Sequence, residues 1–176
     1  MRPYGLYEVP SYRNLIGRYV GRVVVVNFTA EWCGTYVIVF TGNERAKEID
    51  LVIFVNGFPV ATIELKNKQT NQTHINAIKQ YMRDRKPKGE PLLEFKRCLV
   101  HFAVGTEQVY MTTKLDGEKT RFFPFNMTFE NKGVESKLGD PYRTSYLWED
   151  VLTRDSLLDL IQNYINVQEI ERKKYD

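Results

Sequence analysis

The chain has 176 residues, 43% of them hydrophobic, with 25 basic and 22 acidic side chains for a formal net charge of +3. That content supports one substantial core, and the small positive balance permits a polyanionic partner without requiring one. Two cysteines exclude a disulfide framework. Apolar runs broken well short of about 18 residues exclude a membrane-spanning helix, and with no signal-peptide pattern the expectation is a cytoplasmic protein with reduced thiols.

In chain order, residues 11–20 (SYRNLIGRYV) are ambiguous, whereas Arg22 to Phe28 (RVVVVNF) and Thr35 to Phe40 (TYVIVF) are β-branched, aromatic-rich strands. Residues 48–68 (EIDLVIFVNGFPVATIELKNK) read as two strands around Asn56-Gly57. Thr73 can cap a helix running to Asp84, with Ile75, Ile78, Tyr81 and Met82 as its apolar stripe and Asn76, Lys79, Gln80 and Arg83 on the opposite arc. Residues 85–91 (RKPKGEP) form a loop. Three further strands fall at Cys98 to Val104, Gln108 to Leu115 and Thr120 to Phe125, the last two joined around Asp116-Gly117. A long polar loop from Asn126 to Tyr142 follows, and from Ser145 onward leucines and isoleucines take helical spacing before a charged C-terminal run. The fold class is α/β with a central mixed sheet.

The 48–68 hairpin begins on an acid and ends on Glu64-Leu65-Lys66, which an ordinary buried hairpin does not need. Side chains alternate faces along a strand, so register decides what these groups can do. A two-residue turn at Asn56-Gly57 with no irregularity sets Asp50 opposite Ile63 and separates the acids. A three-residue loop, or a bulge near Pro59, moves the pairing by one and sets Asp50 opposite Glu64, with Lys66 further along the same face. Such groups, about 5 to 8 Å apart by cross-strand spacing, could form a site. Two carboxylates can hold a hard divalent cation, and an ammonium beside it can orient water or stabilise phosphate charge. That chemistry suits phosphodiester hydrolysis. The bland reading, solvated gatekeepers or a surface ion pair, is the commoner one on spacing alone.

The stretch IDLVIFVNGFPVATIELKN resembles the nuclease core of the PD-(D/E)xK superfamily, and more narrowly the N-terminal nuclease domain of the motor (R) subunit of type I restriction endonucleases. The likeness continues through QTNQTHINAIKQYMRDR, CLVHFAVGTEQVYMTTKLDGEKTRFFPFN and YRTSYLWEDVLTRDSLLDLI, roughly residues 48 to 165. The resemblance implies a restriction-endonuclease-like fold and Mg²⁺-dependent cleavage of double-stranded DNA, with Mn²⁺ as a possible substitute. Asp50 and Glu64 would be the metal-binding acids, the Leu65 carbonyl a further ligand and Lys66 the catalytic lysine. Ile49 stands where the superfamily name has proline. The family's Gln-x-x-x-Tyr motif is matched only in its glutamine, at Gln80, because Asp84 occupies the tyrosine position and Tyr81 falls on the apolar arc. The resemblance also implies methylation (M) and specificity (S) subunits as partners and ATP use by a motor region outside these residues. It divides the chain into a nuclease domain at 1–144 and a helical extension at 145–176.

Lys79, Gln80, Arg83 and Arg85 could contact DNA phosphates, or simply form a solvated helix face. Glu8 and Glu31 are candidates for a further acid that the resemblance does not align. VVVVNFTAEWCGTY is similar to a thioredoxin active-site stretch, but Tyr36 replaces the resolving cysteine, so a redox role for Cys33 is the weaker alternative. A nuclease-fold DNA-binding module without catalysis is the other. His74 and His101 do not suggest a shared site, and Phe122, Phe123 and Phe125 are expected in the core.

Overall fold

The computed structural model describes residues 23–28, 36–40, 49–55, 58–88, 90 and 92–166. Residues 11–20, Glu8, Glu31, Cys33 and the turn residues Asn56 and Gly57 lie outside them. The strands are β1 (Val23–Phe28), β2 (Tyr36–Phe40), β3 (Leu51–Val55), β4 (Phe58–Leu65), β5 (Val100–Val104), β6 (Val109–Thr112) and β7 (Phe123–Pro124), with helices α1 (His74–Arg83) and α2 (Arg154–Asn163). They form one seven-stranded sheet in the order β2-β1-β3-β4-β5-β6-β7. The β1/β3 and β4/β5 pairs are parallel and the others antiparallel, which makes the sheet mixed, as expected.

The β3/β4 register answers the hairpin question. Val55 pairs with Phe58 and Phe54 with Pro59, but Ile53 pairs with Ala61, so Val60 is an extra residue on β4. Pro59 has no N–H to donate to the ladder, and the strand accommodates it with a bulge beside it. Beyond the bulge Leu51 faces Ile63, and one further step sets Asp50 beside Glu64.

Alternation then divides the central strands into two faces. One carries Leu51, Ile53, Ala61, Ile63, Phe102 and Val104, packed with Tyr146, Leu147, Leu152 and Leu157 in the larger apolar core. The other carries Val52 and Ala103 against Ala77 and Tyr81 of α1. Residues 146–157 thus bury four side chains in the same core as the sheet.

Several boundaries differ from the sequence reading. Helix α1 starts as expected, with the Thr73 hydroxyl accepting from Ile75 N and the Asn76 side chain accepting from Thr73 N. Its buried stripe, however, is Ala77 and Tyr81 flanked by Ile78, while Ile75 is 50% exposed. The helical region after Ser145 is interrupted: a π-helical turn at Leu147–Val151 precedes α2, whose N-cap Thr153 is extended. The Thr120 to Phe125 strand contracts to Phe123–Pro124, and Phe123 is exposed rather than in the core, whereas Phe122 and Phe125 pack against it. The long loop is fastened to the β5–β6 connection by Gly133 N to Glu107 O and Arg143 N to Thr106 O. Gly133 is required there, since a Cβ would lie 2.2 Å from Arg143 O.

Candidate active site

The site forms where β3 begins and β4 ends. Strand β4 runs past the start of β3, so the Leu65 amide lacks a main-chain partner on that side and donates to Asp50 Oδ2 at 2.7 Å. The next amide, Lys66 N, donates the other way, to Val104 O of β5 at 2.8 Å. In an extended strand the C=O of a residue shares the edge its N–H takes, which puts the Leu65 carbonyl on Asp50's side. Lys66 Nζ is 4.0 Å from Asp50 Oδ2, with the lysine side chain only 13% exposed and the aspartate 37%. Asp50 therefore stands at the solvent edge, anchored from one side by a backbone amide and approached by an ammonium.

Glu64 lies deeper. It is fully buried, and its Oε1 accepts from Arg85 Nε at 2.7 Å, the arginine itself being only 6% exposed. Its second oxygen, Oε2, is also buried and has no hydrogen-bond partner among the described residues. Desolvation, reinforced by the neighbouring Asp50 charge, pushes the Glu64 carboxyl up to about 8 despite the opposing pull of Arg85 and Lys66. A buried carboxylate oxygen without a donor is costly, and a cation is one of the few groups that satisfies it. Asp50 and Glu64 on one edge, with the Leu65 carbonyl beside them, form a hard oxygen donor set suited to Mg²⁺, which needs few protein ligands and retains waters. Among the described residues no group of three or more His, Cys, Asp or Glu could hold a metal, so water and substrate oxygens would fill the remaining positions.

Beneath Glu64, Thr62 Oγ1 lies 2.9 Å from the Tyr81 hydroxyl and 2.7 Å from His101 Nδ1, joining α1, β4 and β5 through a buried polar chain. Burial lowers His101 to about 4, so the ring is neutral at physiological pH. Tyr81 is raised well above its ordinary range, by burial first and then by the Glu64 charge. Cys98 is buried and its thiol is pushed up to about 12, the behaviour of an inert structural cysteine.

The structure brings Asp50, Glu64, Leu65 and Lys66 to one place. It does not bring the proposed phosphate contacts into that cluster as a set: Lys79 is exposed, Gln80 is half-buried, and Arg83 is exposed and 3.5 Å from Glu118 Oε1. Arg85, grouped with them on sequence, turns inward to Glu64 instead. Its polar surroundings in Arg85-Lys86-Pro87-Lys88 read as surface, but it falls four residues after Tyr81 and continues the buried arc one turn past the helix. That spacing was the available signal. Thr62 and His101 carried none, being polar residues inside apolar strands.

Residues 35–120 match the family model described as Type I restriction enzyme R protein N terminus. This segment belongs to that family. The match holds all of Asp50, Glu64, Leu65, Lys66, Tyr81, Arg85 and His101, beginning earlier in the chain than the sequence resemblance and ending sooner. Searches of curated proteins and of solved structures gave no match. As the nuclease region of a restriction system, the family accounts for the restriction-endonuclease-like α/β arrangement, a mixed sheet with apolar packing on both faces. Among the described residues no helix is long and apolar enough to cross a membrane.

Proposed function

We propose that this protein is a Mg²⁺-dependent endonuclease domain cleaving DNA phosphodiesters at the Asp50–Glu64–Lys66 site. The observation that carries the reading is Glu64 Oε2, a buried carboxylate oxygen without a donor among the described residues, on the strand edge beside Asp50. Glu64 Oε2, the Asp50 carboxylate and the Leu65 carbonyl would hold the cation. A divalent ion held there supplies a water of lowered pKa and counter-charge for phosphate oxygens. Asp50 is kept in place by the Leu65 amide, so its carboxylate does not have to reorganise when substrate arrives. Lys66, on the same face and beside Asp50, orients the attacking water and balances charge developing on the phosphate.

The outer arc of α1, with exposed Lys79 and Arg83 and half-buried Gln80, would meet the DNA backbone, a contact that positions the duplex without reading its bases. Within the restriction system the domain would act with methylation and specificity subunits and with an ATP-driven motor region. Mn²⁺ would substitute for Mg²⁺ because it accepts the same oxygen donors.

Calorimetric titration of Mg²⁺ into wild type and an Asp50→Asn, Glu64→Gln double variant tests the reading. Binding should be present in the first and absent in the second. Equal binding in both, or none in either, would return the strand-end acids to a solvated ion-pair role.

A further inference from the structure

Arg85 sits outside the set of groups that a hydrolytic mechanism needs, yet it is the most buried cation of the site, 6% exposed against 13% for Lys66. It is held there by the end of α1. The Gln80 carbonyl accepts from both Asp84 N, at 2.9 Å, and Arg85 N, at 3.1 Å, which closes the helix and turns the next side chain under it. The Nε–H then meets Glu64 Oε1 at 2.7 Å. The contact is charge-assisted and buried, so it holds Oε1 in place more firmly than a neutral hydrogen bond would.

We infer that Arg85 is a positioning residue that favours one-oxygen ligation by Glu64: by donating to Oε1 it leaves Oε2 as the oxygen with both lone pairs open to a cation, and so biases the site toward Mg²⁺ over Ca²⁺. The inference rests on the proposed metal-dependent reading and extends it to ion selectivity. Mg²⁺ accepts a compact octahedral shell with single oxygens from each carboxylate, whereas Ca²⁺ takes 6–8 oxygens and commonly draws both from one carboxylate. With one lone pair of Oε1 taken by Arg85, chelation through both Glu64 oxygens would have to share or displace a buried charged contact, a costly exchange. Asp50 is restrained in a similar way, its Oδ2 accepting from Leu65 N. Each acid is thus biased toward binding through a single oxygen, the mode that suits the compact Mg²⁺ shell better than the larger Ca²⁺ one.

The test is calorimetric titration of the 176-residue chain with Mg²⁺ and, separately, Ca²⁺, in wild type, Glu64→Gln, Arg85→Gln and Arg85→Lys, each first checked for folding by circular dichroism. Wild type should bind Mg²⁺ more tightly than Ca²⁺, and Glu64→Gln should bind neither at this site. Arg85→Gln, which frees Oε1, should shift the ratio of affinities toward Ca²⁺ by about tenfold or more. Arg85→Lys, which keeps the charge but not the planar fork, should shift it the same way by less. If Arg85→Gln does not fold, the lysine variant decides alone. A ratio unchanged in a folded Arg85 variant, with binding still dependent on Glu64, overturns the role of Arg85 and leaves the metal site standing. Wild-type binding that is absent, or that survives Glu64→Gln, overturns both.

Discussion

The two faces of strands β3 to β5 differ sharply, although they are written by alternate residues of the same segments. Toward the π-helical turn and α2, the sheet presents Leu51, Ile53, Ala61, Ile63, Phe102 and Val104, all apolar and buried. Toward α1 it presents Thr62, Glu64 and His101 among the apolar side chains, equally buried but joined to Tyr81 and Arg85 by hydrogen bonds and an ion pair. Burying a paired or unpaired charge rarely improves stability on its own account, so the second face is the expensive one. One face of the sheet holds the fold together, and the other spends part of that stability on preorganised polar groups.

The contrast breaks most sharply at Lys66. Lys66→Ala should remove Mg²⁺-dependent cutting of plasmid DNA by about 10³-fold, worth about 4 kcal/mol in the barrier, while leaving the unfolding midpoint nearly unchanged. A gel assay read beside a urea melt separates the two effects, and full cutting by a clean preparation would refute the assignment. Phe102→Ala should do the reverse. Phe102 is 3% exposed and packs against Phe125 at a ring separation of 5.4 Å, so its truncation should cost about 3–5 kcal/mol of stability in a urea melt. Its cation affinity, measured at a temperature where the variant is folded, should stay close to wild type.

His101 sharpens the comparison through pH. Its folded value of about 4 lies below the ordinary 6.5 because burial penalises the charged ring. Between those values the unfolded chain takes up a proton that the folded one refuses, so stability is lost as pH falls from 6.5 toward 4, by about 3 kcal/mol in full. Glu64 acts with the opposite sign: its folded carboxyl, raised to about 8, makes the cation-free protein lose stability as pH rises from 4.5 toward 8. The two overlap between 4.5 and 6.5, so His101 is isolated by difference. Urea melts of wild type and His101→Gln across pH 4 to 7 should show the variant losing stability more steeply as pH rises between 4.5 and 6.5, where the two opposite slopes offset in wild type, and parallel curves would contradict the assignment.

The amino-acid pattern made the strands and α1 legible because β-branched runs and the Thr73 cap are local signals. It also stated the register problem correctly: Pro59 in a strand requires an accommodation, and the bulge at Val60 is what places Asp50 beside Glu64. What stayed hidden is tertiary. No local rule says that the strand after Val52 should hide Thr62 beneath a tyrosine hydroxyl, or that an arginine in a polar loop should turn under a helix to reach a glutamate twenty-one positions back. The apolar stripe of α1 was misplaced by a similar cause. Ile75 satisfies helical spacing as well as Ala77 does, but the small alanine permits close approach to the sheet, and the isoleucine is left in solvent.

The smallest effect belongs to Arg83, on the outer side of the same helix whose inner side holds Tyr81. Arg83 Nε lies 3.5 Å from Glu118 Oε1, with both side chains mostly exposed at 65% and 76%. Such a pair gains little, because water and salt screen it and two long side chains must be held still. Arg83→Ala should therefore change stability by about 0.5 kcal/mol or less. If the outer arc of α1 meets DNA, the same substitution should weaken binding evenly across unrelated duplexes and lower the slope of log affinity against log salt by about 1, as loss of one phosphate contact does. Fluorescence anisotropy on two unrelated duplexes over a salt series reads both quantities. An unchanged slope would take Arg83 out of the interface and leave it as half of a surface ion pair, while a change confined to one duplex would make it a reader of bases rather than of backbone.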